Sequence, residues 1–271
     1  LRGVFYGNYG NVTYEKALSH WAENVRRSSG EANKYLSGKF KVSNLDGEEF
    51  EVDGRNIALE LNRSPRIRFD VAPSYFTSFA YVGQILESIS GAPKEKMNVS
   101  SSALRAGIRA ADWVEGAQRL HAKAYPATFS WEEGYKPRYG TEFMAPPISR
   151  VYKPNFEKLE KGIFVTVTGI LGLERLYQDA KRLGLKLYSN DTQAMPESAY
   201  LSPHVISNKN IVCQFARAGW SSIWISLIAG TPLVVPDFDA KDDPEIYFNN
   251  ISVEELGLGI VYRGQSLEEI I

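Results

Sequence analysis

The sequence predicts an α/β protein with mostly parallel, doubly wound sheets in two domains, and three observations lead there. Short β-prone runs alternate with helical periodicity along most of the chain, which is the pattern that builds parallel sheets covered by helices. Glycines stand where strand passes to helix or where a helix stops. A proline-rich stretch, with Pro137, Gly140, Pro146, Pro147 and Pro154, separates two halves that each repeat the strand–helix theme. At 271 residues the chain is long enough for two compact domains of this kind.

Taken in order, residues 4–6 read as a strand and residues 7–10 as a glycine turn. A helix follows, with Ala17, Leu18, Trp21 and Val25 on one face. Alternation in Phe40, Val42 and Phe50, Val52 around Asp46-Gly47 predicts a hairpin. Residues 69–72 read as a buried strand, 76–89 as a helix, and 125–131 as the last strand of the first half. The domain boundary falls near Tyr152, giving 1–152 and 153–271. Beyond it come a strand over 162–168, a helix over 171–183 closing at Gly184, and a strand over 185–188. The last elements are a strand over 211–215, a helix over 221–229 stopped by Gly230, and a strand over 233–235.

Composition narrows the function classes. Hydrophobic residues at 44% and charged residues at 23% are those of a soluble globular protein with a sizeable core. Lys+Arg 31 against Asp+Glu 32 leaves a net charge of -1, so the basic balance of a general nucleic-acid binder is missing. The single cysteine, Cys213, has no intrachain partner, and His20, His121 and His204 show no metal spacing; both fit a reducing cytoplasm and a protein without a metal site. Neither an export signal nor a membrane span is read, since the apolar stretch 223–235 is broken by Gly230, Thr231 and Pro232; a peripheral membrane contact through a small patch stays compatible with this.

Chemistry concentrates in Arg217-Ala218-Gly219-Trp220-Ser221-Ser222, between a strand and a helix. Such a turn presents free backbone N–H groups and the positive end of a helix dipole to a phosphate; Ser221 and Ser222 add hydroxyls and Arg217 a charge. Trp220, interrupting the turn, is the tryptophan expected to line a ligand site. Equally open is the plain reading in which a serine caps the helix and Gly219 permits the turn. Downstream stand Pro236-Asp237-Phe238-Asp239, then Asp242-Asp243-Pro244-Glu245, then Glu254-Glu255-Leu256-Gly257-Leu258-Gly259. Alone, the acidic run reads as a solvated loop.

In sequence, a glycine turn, a helix, Ala229-Gly230-Thr231-Pro232, an apolar strand, the acidic motif and the Glu-Leu-Gly-Leu-Gly run resemble the donor-binding half of GT-B glycosyltransferases. The Arg-Ala-Gly turn is similar to the peptidoglycan N-acetylglucosaminyltransferase branch and its archaeal and bacterial relatives. The resemblance is good over 162–264 and weaker in the first half, where it rests on the first turn and on Phe143-Met144-Ala145-Pro146-Pro147-Ile148. It implies two Rossmann-like domains facing a central cleft, an acceptor domain (1–152) and a nucleotide-sugar donor domain (153–271).

Carried over, Thr168 and Gly169 lie near the donor phosphates, Val205 offers backbone groups to the base, the Gly219 turn holds the diphosphate, and Asp242, Asp243 and Glu245 hold sugar hydroxyls. The first turn resembles the family's Gly-x-x-Gly followed by a basic His or Asp; here Gly10 takes the acceptor side and Asn11 the place of the base. An amide has no useful basicity, so Asn11 orients an acceptor or caps a helix; either Asp70, Glu15 or Glu142 takes the proton, or the acceptor needs no strong base, or the protein is no longer a transferase. Two further departures are Ile225, where the family has a ribose-binding glutamate, and Asp243, where it has glutamine. The chain also ends soon after Gly264 without the family's closing helices, as a shortened or compact member would.

The implied activity is metal-independent, inverting transfer of a sugar, UDP-linked by preference, to a glycan, lipid or small-molecule acceptor, with no cofactor. Its rivals are a non-catalytic binder of sugar nucleotides or glycans with a degenerate site, and a sugar-nucleotide epimerase or hydrolase.

Overall fold

The computed structural model describes residues 13–43, 47–56, 81–116, 121–132, 137–147, 149, 153–166, 174–240 and 242–271. The chain divides into two compact units. Unit 1 takes residues 1–123 and 137–144, and unit 2 takes 124–136 and 145–271. The expected boundary residue, Tyr152, lies outside the described residues, as do the expected strands over 4–6 and 69–72.

Among the described residues, unit 1 contains the helices α1 (Tyr14–Leu36), α2 (Val82–Ile89) and α3 (Ser101–Gly116). The predicted face of α1 is the buried one, with Leu18, Trp21 and Ala22 inside. It meets Leu86 of α2 over Gly107 of α3, where a Cβ would come within 2.6 Å of Leu18 and 3.0 Å of Leu86. Helix α3 was not read from the sequence; its small residues Ala103, Gly107, Ala110 and Ala111 supply the packing and weaken the apolar pattern. The predicted hairpin forms from β1 (Lys39–Ser43) and β2 (Glu49–Asp53), antiparallel, with Phe40 opposite Val52 and Val42 opposite Phe50. Its other side carries Lys39–Glu51 and Lys41–Glu49 ion pairs.

A ribbon of β3 (His121–Ala124) and β4 (Glu142–Ala145) follows, with the last residue of each strand counted in unit 2. The N–H groups of His121 and Tyr125 donate to the carbonyls of Thr141 and Ala145, so the two strands run parallel. Residues 125–131, expected as strand, are bends and turns instead. Pro126 has no N–H to offer a ladder and Phe129 turns the chain at φ 66°.

Unit 2 is a six-stranded sheet of β5 (Gly162–Thr166), β6 (Lys186–Ser189), β7 (Ala199–Tyr200), β8 (Ile211–Ala216), β9 (Leu233–Pro236) and β10 (Ile260–Tyr262). Every pairing is parallel, in the order β10-β9-β8-β5-β6-β7. Counted within the unit from the β7 edge, that is 3-2-1-4-5-6, the doubly wound Rossmann order. Alternation along β5 sends Ile163 and Val165 to one face and Phe164 to the other. The first face packs on Leu176 and Ala180 of α4 (Glu174–Arg182) and Leu267 of α7 (Leu267–Ile270), and holds the single cysteine, Cys213, fully buried. The second packs on Val205 and Ile206 of a short 3-10 helix (Pro203–Ser207) and on Ile225 and Ala229 of α5 (Trp220–Ala229).

The predicted stops hold, because Gly184 and Gly230 end α4 and α5 at φ 65° and 68°, a region open to glycine at little cost. Helix α6 (Pro244–Glu255) begins inside the acidic run that the sequence suggested as a loop. Among the described residues no helix is long and apolar enough to cross a membrane, and no group of three or more His, Cys, Asp or Glu could hold a metal ion.

Candidate functional site

In a doubly wound sheet ligands bind beyond the carboxyl ends of the strands, at the point where the strand order reverses. In unit 2 that point lies between β5 and β8. Thr168 and Gly169, which follow β5 in the chain, are outside the described residues, as are Gly10, Asn11 and Asp70. The loop leaving β8 is the Arg217–Gly219 turn, and it leads directly into α5.

Gly219 is the N-cap of α5, with φ −87° and ψ 139° and no side-chain cap; neither serine closes the helix. Its carbonyl takes the N–H groups of Ser222 (2.9 Å) and Ile223 (3.1 Å). The N–H groups of Trp220 and Ser221, in the first turn, have no acceptor within the helix. A Cβ at Gly219 would meet no atom within 4 Å. That backbone is one any residue adopts, so the turn itself does not require glycine; the gain from glycine is open approach to the helix N-terminus.

The acidic motif reaches the same place. Arg217 donates toward Asp242 at 2.9 Å and Asp243 at 3.4 Å, joining two motifs that the sequence reading assigned to one ligand. Asp243 is 5% exposed and Glu245 7%, so this is no solvated loop. Burial pushes the Asp243 carboxyl up to about 7, Arg217 pulling it back and Glu245 adding to the rise. Burial raises Asp242 too, against the pull of Arg217, and Glu245 is raised by burial against the Asn249 amide. The Nε–H of Arg217 is buried without a hydrogen-bond acceptor.

Behind the turn lies a polar network that sequence reasoning missed. The Trp220 indole N–H donates to Thr128 Oγ1 (2.7 Å) and Asn249 Oδ1 (2.9 Å), and the Thr128 hydroxyl donates to Asn249 Oδ1 at 2.6 Å. The Asn249 amide donates to the Ala218 carbonyl (2.8 Å) and to Glu245 (3.1 Å). This corrects the expectation for Trp220. It is 2% exposed and fixes the helix start from within, rather than lining a ligand surface. Val205 is likewise buried, and its N–H donates to Ser202 and its carbonyl accepts from Asn208. Those bonds leave its N–H no capacity for a base. Ser221 is exposed and Ser222 half-buried beside the turn, in keeping with a polar surface above it.

Of the substitutes proposed for a base, Glu15 accepts from the Ser100 hydroxyl. Glu142 accepts from the Arg138 N–H at 3.2 Å and keeps a second buried oxygen without a hydrogen bond. His121, a histidine without metal spacing, is buried: its ring bonds the Thr141 hydroxyl at 2.7 Å and the Glu115 carbonyl at 2.9 Å, and stacks on Tyr139.

Among solved structures, one similar chain is the glycotransferase of kitacinnamycin: 14% identity, TM-score 0.42, covering 67% of this chain and 52% of that one. Another is the glycosyltransferase SnogD from Streptomyces nogalater, at 14% identity and TM-score 0.36, covering 62% of this chain and 53% of that one. The chain thus spans about half the length of either protein. No protein-family model and no curated protein matches. A likeness of this strength identifies neither a family nor a reaction.

Proposed function

We propose that the protein is a glycosyltransferase whose unit 2 binds a nucleotide sugar, UDP-linked by preference, over the N-terminus of α5. In this reading residues 153–271 carry the donor chemistry and residues 1–152 recognise a glycan, lipid or small-molecule acceptor. One observation carries it. At the switch point of a 3-2-1-4-5-6 sheet, an unobstructed helix N-terminus stands beside Arg217, and the acidic motif from beyond β9 closes on that same arginine. The order of motifs that resembles the GT-B donor half points the same way.

Chemically, the first-turn N–H groups and Arg217 stabilise the diphosphate that leaves as an acceptor oxygen or nitrogen attacks the anomeric carbon, in a single inverting displacement. These donors are fixed before reaction, so the step calls on neither a metal nor another cofactor. Asp70 is the residue assigned to take the acceptor proton, and Asn11 the one that orients the acceptor; Thr168 and Gly169 complete the phosphate turn.

The test is calorimetric titration with a panel of nucleotides and nucleotide sugars, followed by mass-spectrometric detection of released nucleoside diphosphate. Gly219→Val puts a β-branched side chain, well suited to φ −87° and ψ 139°, over the helix N-terminus. It is expected to leave the chain folded, with a melting temperature lower by only a few degrees for the lost N-cap glycine, and to weaken donor binding at least about tenfold, a loss of about 1.4 kcal/mol. No binding across the panel overturns the reading.

Ile225 favours a second reading. It packs against the Phe164–Ile206 cluster, so this position supports the core in place of the family's ribose-binding carboxylate. A sugar-nucleotide binder without transfer activity would bind the panel and release no diphosphate; diphosphate released with water alone as acceptor would mark a hydrolase.

A further inference from the structure

We infer that the donor site is proton-coupled: a diphosphate entering the Gly219 turn draws the Arg217 guanidinium from Asp242 and Asp243, and Asp243 takes up a proton in place of the lost countercharge. The inference rests on the donor-site reading and concerns how that site is regulated.

The geometry imposes the coupling. Two carboxylates, Asp242 and Asp243, pair with one guanidinium, a third, Glu245, lies within its electrostatic reach, and Asp243 and Glu245 are almost wholly buried. Arg217 reaches Asp242 and Asp243 from the β8–α5 turn, and it is the one cation paired with either among the described residues. Glu245 bears on Asp243 from the first turn of α6, Asp242 from the adjoining residue, and Asp239 bears on Asp242 from the preceding loop. Glu245 has the Asn249 amide as its own neutral partner.

A diphosphate brings negative charge to the same arginine. With the guanidinium shared or withdrawn, an ionised Asp243 would face Glu245 and Asp242 in a poorly solvated position, which like charges do not tolerate. Asp243 already titrates near 7 with Arg217 in place, so the remaining step is small. In balance, one O–H bond forms on the Asp243 carboxyl group and the buffer loses that proton; no bond in the donor breaks. Because binding takes up a proton, affinity falls as pH rises.

The experiment is calorimetry of the full chain with UDP-glucose and UDP-N-acetylglucosamine near about pH 7.5, in non-phosphate buffers of low and high protonation enthalpy. Both probes have a diphosphate esterified at each end, so neither contributes a proton near neutrality. The expected result is a heat that varies with buffer, equivalent to about 0.3–0.8 proton taken up per donor bound, and affinity weakening up to about tenfold per pH unit above about pH 7. Asp243→Asn is expected to abolish the buffer dependence, while Asp237→Asn, whose carboxylate lies 3.9 Å from Arg263 rather than in this cluster, keeps it.

Tight binding with a buffer-independent heat overturns the coupling and leaves the donor site standing. Absence of binding by both probes overturns the donor reading and the coupling together. A slope that survives Asp243→Asn overturns the assignment to Asp243. Should that variant bind nothing, wild-type affinity decides: constancy between about pH 6.5 and 8.5 overturns the proposal.

Discussion

Asn249 shows what one buried amide holds together. It is fully buried, and its two ends bind the Trp220 indole, the Thr128 hydroxyl, the Ala218 carbonyl and Glu245. Leucine is close in volume but satisfies none of them, leaving the Ala218 carbonyl and Glu245 without that amide and Trp220 with Thr128 alone. At about 1–3 kcal/mol for each orphaned group, Asn249→Leu is expected to cost about 3 kcal/mol or more. Urea unfolding checks this: the midpoint drops and the slope stays constant, whereas a midpoint within about 0.5 kcal/mol of wild type would contradict the network's importance. This residue was not legible beforehand, since three of its four partners are 121, 31 and 29 positions away and an asparagine within Tyr247-Phe248-Asn249-Asn250-Ile251 carries no periodic signal. Arg217, Asp242 and Asp243 drew notice because turn chemistry and acidic spacing are local, although their mutual pairing was not foreseen.

Elements were readable where hydrophobic period and glycine stops agreed, and unreadable where packing overrode them. The apolar residues Ala127 and Phe129 look like strand but are buried in a turn, with Phe129 against Phe248. The entry to α2 is another case. Its N-cap, Tyr81, provides no side-chain cap, and Glu115 on α3 accepts the N–H groups of Val82 (2.5 Å) and Gly83 (3.4 Å) from 33 and 32 residues away. Burial pushes the Glu115 carboxyl up to about 7, opposed by the Val82 N–H, Arg138, the Gly83 N–H and Tyr139. The folded chain therefore holds this proton more tightly than the unfolded chain. The stability it contributes is full below about pH 4.5 and is lost as pH rises through about 7, on the order of 3 kcal/mol in all. Glu115→Gln keeps an acceptor for the helix N-terminus and removes the titration. The stability of the variant relative to wild type is expected to rise by about 2.5 kcal/mol from about pH 5 to about pH 8. Denaturation curves that shift in parallel with pH would contradict it.

For the molecule as a whole, alternation of strand and helix foretold a parallel sheet wound on both faces, and unit 2 has one in 3-2-1-4-5-6 order. Chain order along the sequence does not record which segment completes a core, and here that segment precedes the proline-rich stretch. Residues 124–132 belong to unit 2, where the Pro126 carbonyl accepts the Trp224 indole N–H at 2.8 Å, Thr128 accepts that of Trp220, and Phe129 packs on Phe248. Without the segment, α5 loses the partners of both tryptophans and α6 loses an aromatic contact beside Asn249. These losses fall on the two helices that frame the Gly219 turn and the acidic motif. A fragment of residues 124–271 is therefore expected to unfold in one cooperative urea transition and to retain a near-ultraviolet circular dichroism signal from Trp220 and Trp224. A fragment of residues 153–271 is expected to keep far-ultraviolet signal but lose the near-ultraviolet signal and bind a hydrophobic dye, because secondary structure survives the loss of specific packing. If both fragments unfold alike, the 124–132 segment is dispensable and unit 2 is self-sufficient from residue 153.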